Sequence, residues 1–228
     1  MRLPAYLEQV VHFFGSRSVR WEVIVVDDGS ADDTSGVVRT VALRYPEVRL
    51  VRHDRNSGKG FAVQAGMRVA GGAHRLFADA DGATPIGELL RLEAALHDGA
   101  DVAVGSRVLV DPTVTVQARA HRRAAGRVFH LFARAAGVAG VRDTQCGFKA
   151  FTAAAADDLF PRVTTKGFGF DVELLLRARA RGWRITEVAV NWREQEGSKV
   201  GVLTDGPAML REIAAARWRV MRDERRGR

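Results

Sequence analysis

The segment Leu76-Phe77-Ala78-Asp79-Ala80-Asp81-Gly82-Ala83-Thr84-Pro85 ends a short apolar run in two carboxylates at i and i+2, followed by turn residues. In a strand, residues two apart point to the same side, so Asp79 and Asp81 can converge on one ligand. Hard oxygens placed this way suit a divalent cation that shares its remaining positions with substrate phosphates. The carboxyl end of a strand is also where open α/β sheets bind ligands. A polar strand exit carrying two solvated Asp residues has the same pattern, so the pair by itself leaves both readings open.

Two further loops repeat the arrangement. Val23-Ile24-Val25-Val26 leads into Asp27-Asp28-Gly29-Ser30, where a carboxylate can accept an N–H from a nucleobase and turn amides can face a polar ligand. Ser30 and Asp32 equally suit a helix-capping turn there. Asn56-Ser57-Gly58-Lys59-Gly60 is Gly-rich and carries one cation before a helix whose amino end favours anions. Its spacing is not that of a Walker A loop. All three loops follow expected strands, so together they line one rim of a sheet.

The positioning elements alternate. Strands are expected at Trp21–Asp27, Val48–Arg52, Arg75–Asp79, Asp101–Ser106 and Arg184–Val190, each nearly continuously apolar at its centre, as strands covered on both faces are. Helices are expected at Asp33–Tyr45, Lys59–Ala70, Pro85–Leu96, Thr115–Ala136 and Asp171–Arg181, with another opening at Leu3-Pro4. This alternation implies an α/β fold with a mostly parallel sheet flanked by helices. With 228 residues and no Pro/Gly/Ser-rich linker, the chain reads as a single domain over 1–228.

Composition narrows the function. One cysteine, Cys146, excludes an internal disulfide framework. No apolar run reaches membrane-span length, and the first residues lack a signal peptide's apolar core. The expected location is cytoplasmic. The net charge of +8 favours phosphate-bearing partners, but with two Tyr and no nucleic-acid-binding signature, nucleic acid is not among them.

Asp27-Asp28-Gly29-Ser30, Asn56-x-Gly58-Lys59-Gly60, Asp79-Ala80-Asp81-Gly82-Ala83-Thr84, Gly105-Ser106-Arg107 and Asp143-Thr144-Gln145-Cys146-Gly147-Phe148-Lys149 occur in the order seen in glycosyltransferase family 2, which the chain resembles. Gly167-Phe168-Gly169-Phe170-Asp171-Val172-Glu173 and Trp192-Arg193-Glu194-x-x-Gly197-Ser198-Lys199 bring it closer to the dolichyl-phosphate (polyprenyl-phosphate) β-glucosyltransferases than to their mannosyltransferase relatives. The resemblance runs from about Leu3 to Met221.

It implies a GT-A fold and inverting transfer of glucose from UDP-glucose to dolichyl or polyprenyl phosphate at the inner face of the cell membrane, with Mg²⁺ or Mn²⁺ as cofactor. GDP-mannose as donor, or a truncated, inactive nucleotide-binding domain, are the alternatives. By motif, Asp27, Asp28, Gly29, Ser30, Gly58, Lys59, Asp79, Ala80, Asp81 and Gln145 would contact the nucleotide sugar, with Asp28 on uracil and Asp79 and Asp81 on the metal. Asp81, Arg107 and Asp171 would serve catalysis, Asp171 as a sugar-hydroxyl partner or residual base. Arg107, Arg122, Arg123 and Lys199 would meet the acceptor phosphate.

Two stretches stay open. Arg119, Arg122, Arg123, Arg127, His130 and Arg134 form one basic stripe at helical spacing, which suits either a solvated face or the acceptor phosphate. Met209, Leu210, Ile213, Ala214, Trp218 and Met221 recur at helical spacing among Arg211, Arg217, Arg219 and Arg222, which suits either core packing or an interfacial helix at 205–222 with a basic tail at 223–228.

The resemblance also exposes a mismatch. Pro4-Ala5-Tyr6 stands where the first helix of the family opens, so the family's first strand, central between those ending at Asp27 and Asp79, is expected to be missing and the gene product to be longer.

Overall fold

The computed structural model describes residues 2–117, 138, 140–195 and 202–226. Arg122, Arg123, Lys199 and nearly all of the helix expected over Thr115–Ala136 lie outside these residues.

In chain order the elements are α1 (Leu3–Gly15), β1 (Val23–Asp27), α2 (Thr34–Ala42), β2 (Val48–Arg52), α3 (Lys59–Val69), β3 (His74–Ala78), a 3₁₀ turn (Ile86–Glu88), α4 (Leu89–His97), β4 (Val102–Ser106), β5 (Val116–Gln117), β6 (Phe148–Thr152), α5 (Ala153–Leu159), a second 3₁₀ turn (Phe160–Arg162), α6 (Phe170–Ala180), β7 (Ile185–Ala189), β8 (Trp192–Arg193) and α7 (Val202–Arg226). The five expected strands all form, within two residues at either end. Pro85 itself is extended, with ψ 141°, and stands before the 3₁₀ turn.

Two elements depart from expectation. Val116–Gln117, placed at the start of a helix, instead pairs in parallel with Trp192–Arg193. Phe148–Thr152, read only as part of a motif, is a central strand, antiparallel to both β3 and β4. Its sequence Phe-Lys-Ala-Phe-Thr hides one cation in an apolar run, and that cation masks its strand character.

The main sheet has the order β3-β6-β4-β7, and β1-β2 form a separate parallel pair. The interruption falls between the strands that lead to Asp27 and Asp79, where the resemblance implies one more strand. Among the described residues, no strand pairs with the second edge of β1 or of β3. Helix α1 spans the two parts. Tyr6 and Val10, one turn apart, pack with α4 and Phe148, while Leu7 and Val11 pack with α2 and β2. Each such buried apolar side chain contributes roughly 1.5–3 kcal/mol, so α1 is an apolar bridge between the sheets.

Helix α6 is buried from Phe170 to Ala178, including Asp171, Glu173 and Arg177. Each of these charges has partners. Asp171 receives Lys149 Nζ at 2.5 Å. Glu173 accepts from Thr164 and Thr165 main-chain N–H groups at 3.2 and 2.8 Å, from Thr165 Oγ1 at 2.5 Å, and from Arg177 and Arg219 at 2.9 and 3.1 Å. As expected of residues two apart on a helix, Asp171 and Glu173 serve different neighbours.

Burial alone would raise the Glu173 pKa, but the Thr165 and Arg177 hydrogen bonds outweigh it and hold the carboxyl below its usual value. A depressed folded-state pKa gives stability that is present above the unfolded value of about 4.3 and lost as pH falls through the folded one. Glu173→Gln is therefore expected to cost about 2 kcal/mol at pH 7, roughly 4–8 °C in Tm, and less as pH drops below about 4. Thermal unfolding at pH 7 and pH 3.5 checks this; an equal loss at both would contradict it.

Candidate active site

The loops after β1, β2, β3 and β4 meet on one rim. Asp28, at the exit of β1, accepts main-chain N–H groups from Ser57 at 3.0 Å and Gly58 at 2.8 Å, and its Oδ1 lies 2.7 Å from His53 Nδ1. The residue expected to hold uracil thus also ties the Asn56–Gly60 loop to the β1 exit.

Asp27 departs from its expected role. Its side chain is fully buried and accepts from Ser30 N at 2.8 Å and from Ser35 Oγ. Burial would raise its pKa, but these bonds and Arg52 hold it below the usual range. Asp27 closes the Gly29-Ser30 turn.

Asp79 and Asp81 follow β3. Asp79 N donates to Gly147 O at 2.9 Å, continuing the β3–β6 ladder, and its carboxylate pairs with Lys59 Nζ at 2.7 Å. Asp81 accepts from Ala83 N at 3.0 Å and lies 3.7 Å from Arg2. Both side chains reach solvent, at 41% and 36% exposure, so both can reach a ligand. Ala80 between them is exposed. Tyr6 closes the inner side, its hydroxyl donating to Thr84 O at 3.4 Å. Burial first, then Asp79 and Asp81, push the Tyr6 hydroxyl pKa far up, so it stays a neutral donor.

No three acidic, His or Cys side chains gather as a metal cage among the described residues. Two partly exposed carboxylates still suit Mg²⁺ or Mn²⁺, because such ions are held by one or two carboxylates while substrate phosphates complete the shell. The residues present therefore fit a divalent ion that arrives with a diphosphate.

Arg107 follows β4, and its main-chain N, Nε and Nη2 donate to Asp143 at 2.9, 2.7 and 2.7 Å. Its guanidinium carbon sits 5.5 Å from the Trp192 ring centroid. Burial opposes the charges of both partners, yet each charge stabilises the other: the Asp143 carboxyl is held low and the Arg107 guanidinium high. Glu187 of β7 holds this acid in turn, accepting from Arg142 N and Asp143 N at 2.9 and 2.7 Å.

Gln145 N donates to Asp143 at 3.3 Å, while the buried Gln145 Nε2 has no hydrogen-bond partner among the described residues. A buried donor left unsatisfied is costly. Cys146 is fully buried and its thiol is pushed up to about 12, first by burial and then by Asp143, so it is no nucleophile.

Lys149 and Asp171 lie beneath the rim, both essentially inaccessible, and Lys149 also donates to Cys146 O at 2.7 Å. Burial raises the Asp171 pKa despite Lys149 and Lys59. This differs from the expected sugar-contacting role: Asp171 anchors the floor and does not reach the cleft. Lys149, Glu187 and His53 were not singled out from sequence. Only Lys149 left a signal there, as the one charge inside the β6 apolar run.

Residues 2–160 match the model for glycosyl transferase family 2. The chain is 35% identical over 233 residues to dolichyl-phosphate β-glucosyltransferase of Dictyostelium discoideum, covering 97% of this chain and 71% of that protein. It is 38% identical over 212 residues to the Homo sapiens enzyme of the same name, covering 87% and 65%. The chain thus spans between 63% and 71% of the length of such relatives.

Among solved structures, glucosyl-3-phosphoglycerate synthase of Mycobacterium tuberculosis with Mn²⁺, UDP-glucose and glycerol 3-phosphate aligns with a TM-score of 0.65 at 20% identity, covering 95% of this chain and 75% of that one. Mannosyl-3-phosphoglycerate synthase of Rubrobacter xylanophilus aligns at 0.67 with 18% identity, covering 99% and 71%. The fold is GT-A, a mixed α/β sheet flanked by helices. From the family match over most of its length, the relatives and this architecture, the chain belongs to glycosyltransferase family 2.

Proposed function

We propose that this chain moves glucose from UDP-glucose to dolichyl or polyprenyl phosphate, with inversion at the anomeric carbon. The observation that carries the reading is the arrangement of charge on one rim: Lys59 lies 2.7 Å from Asp79, Asp81 is open to solvent beside it and Arg107 is held by Asp143, while the nearby acid Asp171 is buried against Lys149. Such a site offers cations and a metal-binding edge. The curated relatives are named dolichyl-phosphate β-glucosyltransferases, and a structural neighbour holds Mn²⁺, UDP-glucose and glycerol 3-phosphate.

A phosphate monoester suits this chemistry. Its second pKa is about 6, so near neutrality it is already largely dianionic and needs no general base. One of its oxygens forms the new bond to the anomeric carbon as the bond to the UDP oxygen breaks, and the electron pair leaves on the diphosphate. Arg107, oriented by Asp143 and Trp192, is assigned to the acceptor phosphate. Lys59, beside Asp79, is assigned to the departing diphosphate. Asp79 and Asp81 would hold Mg²⁺ or Mn²⁺, which when bound neutralises charge on the diphosphate. The Gln145 amide is assigned to a donor oxygen.

The acceptor is a lipid, which supports membrane association. Among the described residues no helix is long and apolar enough to cross a membrane. Helix α7 has two faces, with Ile213, Ala216 and Val220 buried and Trp218 and Met221 exposed at 62% and 42%. The Arg222 guanidinium carbon lies 5.0 Å from the Trp218 ring centroid. An aromatic ring with a cation at its side suits the surface of an anionic bilayer.

Three outcomes test the reading. Asp81→Asn should abolish the gain in UDP-glucose affinity that Mn²⁺ gives over EDTA in calorimetry; a preserved gain removes Asp81 from the metal site. Arg107→Ala should lower radiolabelled glucose transfer to polyprenyl phosphate by about 100-fold or more, with UDP affinity within about threefold of wild type. Normal turnover in that variant, or faster transfer from GDP-mannose in the wild type, overturns the assignment. Trp218→Ala should weaken sedimentation with phosphatidylserine-containing vesicles roughly tenfold, and unchanged partition would remove α7 from the bilayer surface.

A further inference from the structure

Residues 163–169 lie between α7 and the glycines of the donor loop. On the inner side, Lys166 O accepts from Phe61 N at 3.2 Å and Thr165 O accepts from the Gln64 amide at 3.4 Å. A Cβ on Gly58, whose φ is +102°, would stand 2.5 Å from Lys166 O, and one on Gly60 would stand 2.5 Å from Thr165 O. The two backbones touch with no side chain between them, so a shift of 163–169 is transmitted directly to the residues flanking Lys59.

On the outer side, α7 supplies three polar contacts from one helical face. Glu212 accepts from Gly169 N at 2.8 Å. Arg219 donates through Nη2 to Thr165 Oγ1 at 2.7 Å and to Glu173 at 3.1 Å. Asp223 pairs with Arg177, itself a partner of Glu173, at 3.2 Å. Residues 212, 219 and 223 follow the helical repeat beside the buried stripe Ile213, Ala216 and Val220.

We propose that Glu212 and Arg219 are positioning residues for the sugar nucleotide. By fixing the 163–169 backbone, they set the placement of Gly58–Lys59–Gly60, and so the reach of Lys59 to Asp79 and the diphosphate. Helix α7 thereby couples its outer face, which carries Trp218, to donor affinity. The coupling has a physical carrier: a continuous run of hydrogen bonds and backbone contacts. It rests on the assignment of Lys59 to the donor.

The experiment measures UDP-glucose affinity by calorimetry with Mn²⁺, and steady-state constants for donor and polyprenyl-phosphate acceptor, in Arg219→Met, Arg219→Lys and Glu212→Ala. Methionine keeps the aliphatic stem of Arg219 against the helix while removing its donors. Arg219→Met and Glu212→Ala should each raise the donor Kd and KM about tenfold and leave the acceptor KM near wild type, and Arg219→Lys should recover part of the loss.

Thermal unfolding accompanies each variant. A fall in Tm with donor affinity unchanged, or donor and acceptor constants worsening together, overturns the proposal, because both are what a purely structural role produces. Wild-type protein that fails to bind UDP-glucose overturns the donor assignment itself and the coupling with it. Two variants on separate turns keep the test decisive should one not fold.

Discussion

The rim depends on one recurring interaction, a carboxylate from one element accepting main-chain N–H groups of a loop from another. Asp28 holds Ser57 and Gly58, Asp143 holds Arg107 and Gln145, Glu187 holds Arg142 and Asp143, Glu173 holds Thr164 and Thr165, and Glu212 holds Gly169. Loops lack the ladders that satisfy backbone donors in helices and strands, so these groups need partners from elsewhere. Charge-assisted acceptors meet that need with stronger and more directional bonds than neutral ones. The acids of this site thus divide into two kinds. Most hold backbone, and Asp79 and Asp81 remain open enough to face a ligand.

That division also sets the charge of the cleft. Asp143 is neutralised by Arg107 and Asp171 by Lys149, so neither acid repels an anionic substrate strongly. Lys59 sits against Asp79, keeping a cation within reach of the place where a diphosphate would sit. Burial disfavours the charged form of Lys59, and Asp79 and Asp171 more than compensate, so its pKa is raised and it stays charged. A charged Lys59 is ready without proton transfer, which suits stabilisation of a departing diphosphate.

Much of this was legible in the sequence where the chemistry is local. The i, i+2 spacing of Asp79 and Asp81, the turn after Asp27-Asp28 and the Gly-Lys-Gly loop are properties of a few consecutive residues, and all three come together on one rim. The choice between Asp27 and Asp28 was not legible. Both end the same strand, and it is the Ser30 main-chain N–H and Ser35, the second residue of α2, that hold Asp27 inward. Strand β6 escaped because Lys149 interrupts its apolar run, and that lysine is compatible with a fully buried strand only because Asp171, 22 residues on, neutralises it. Glu212 and Arg219 escaped for the same reason: on a helix read by periodicity they are ordinary polar positions, and their roles exist only where α7 meets Thr165 and Gly169.

The interrupted sheet gives these cross-element contacts more weight. In a continuous sheet, ladder hydrogen bonds would fix the β1 exit relative to the β3 exit. Among the described residues β1 and β3 share no ladder, and other links run between Asp28 and Asp79. Helix α1 supplies an apolar one, with its two stripes packed into separate cores. The polar links run from Asp28 to the 56–58 loop and from Lys59 to Asp79. Two bonded residues, Gly58 and Lys59, therefore join the two halves of the rim. Because the backbone beside them is in contact with 163–169 and through it with α7, the geometry of the cleft is governed from the helix as well as from the sheet.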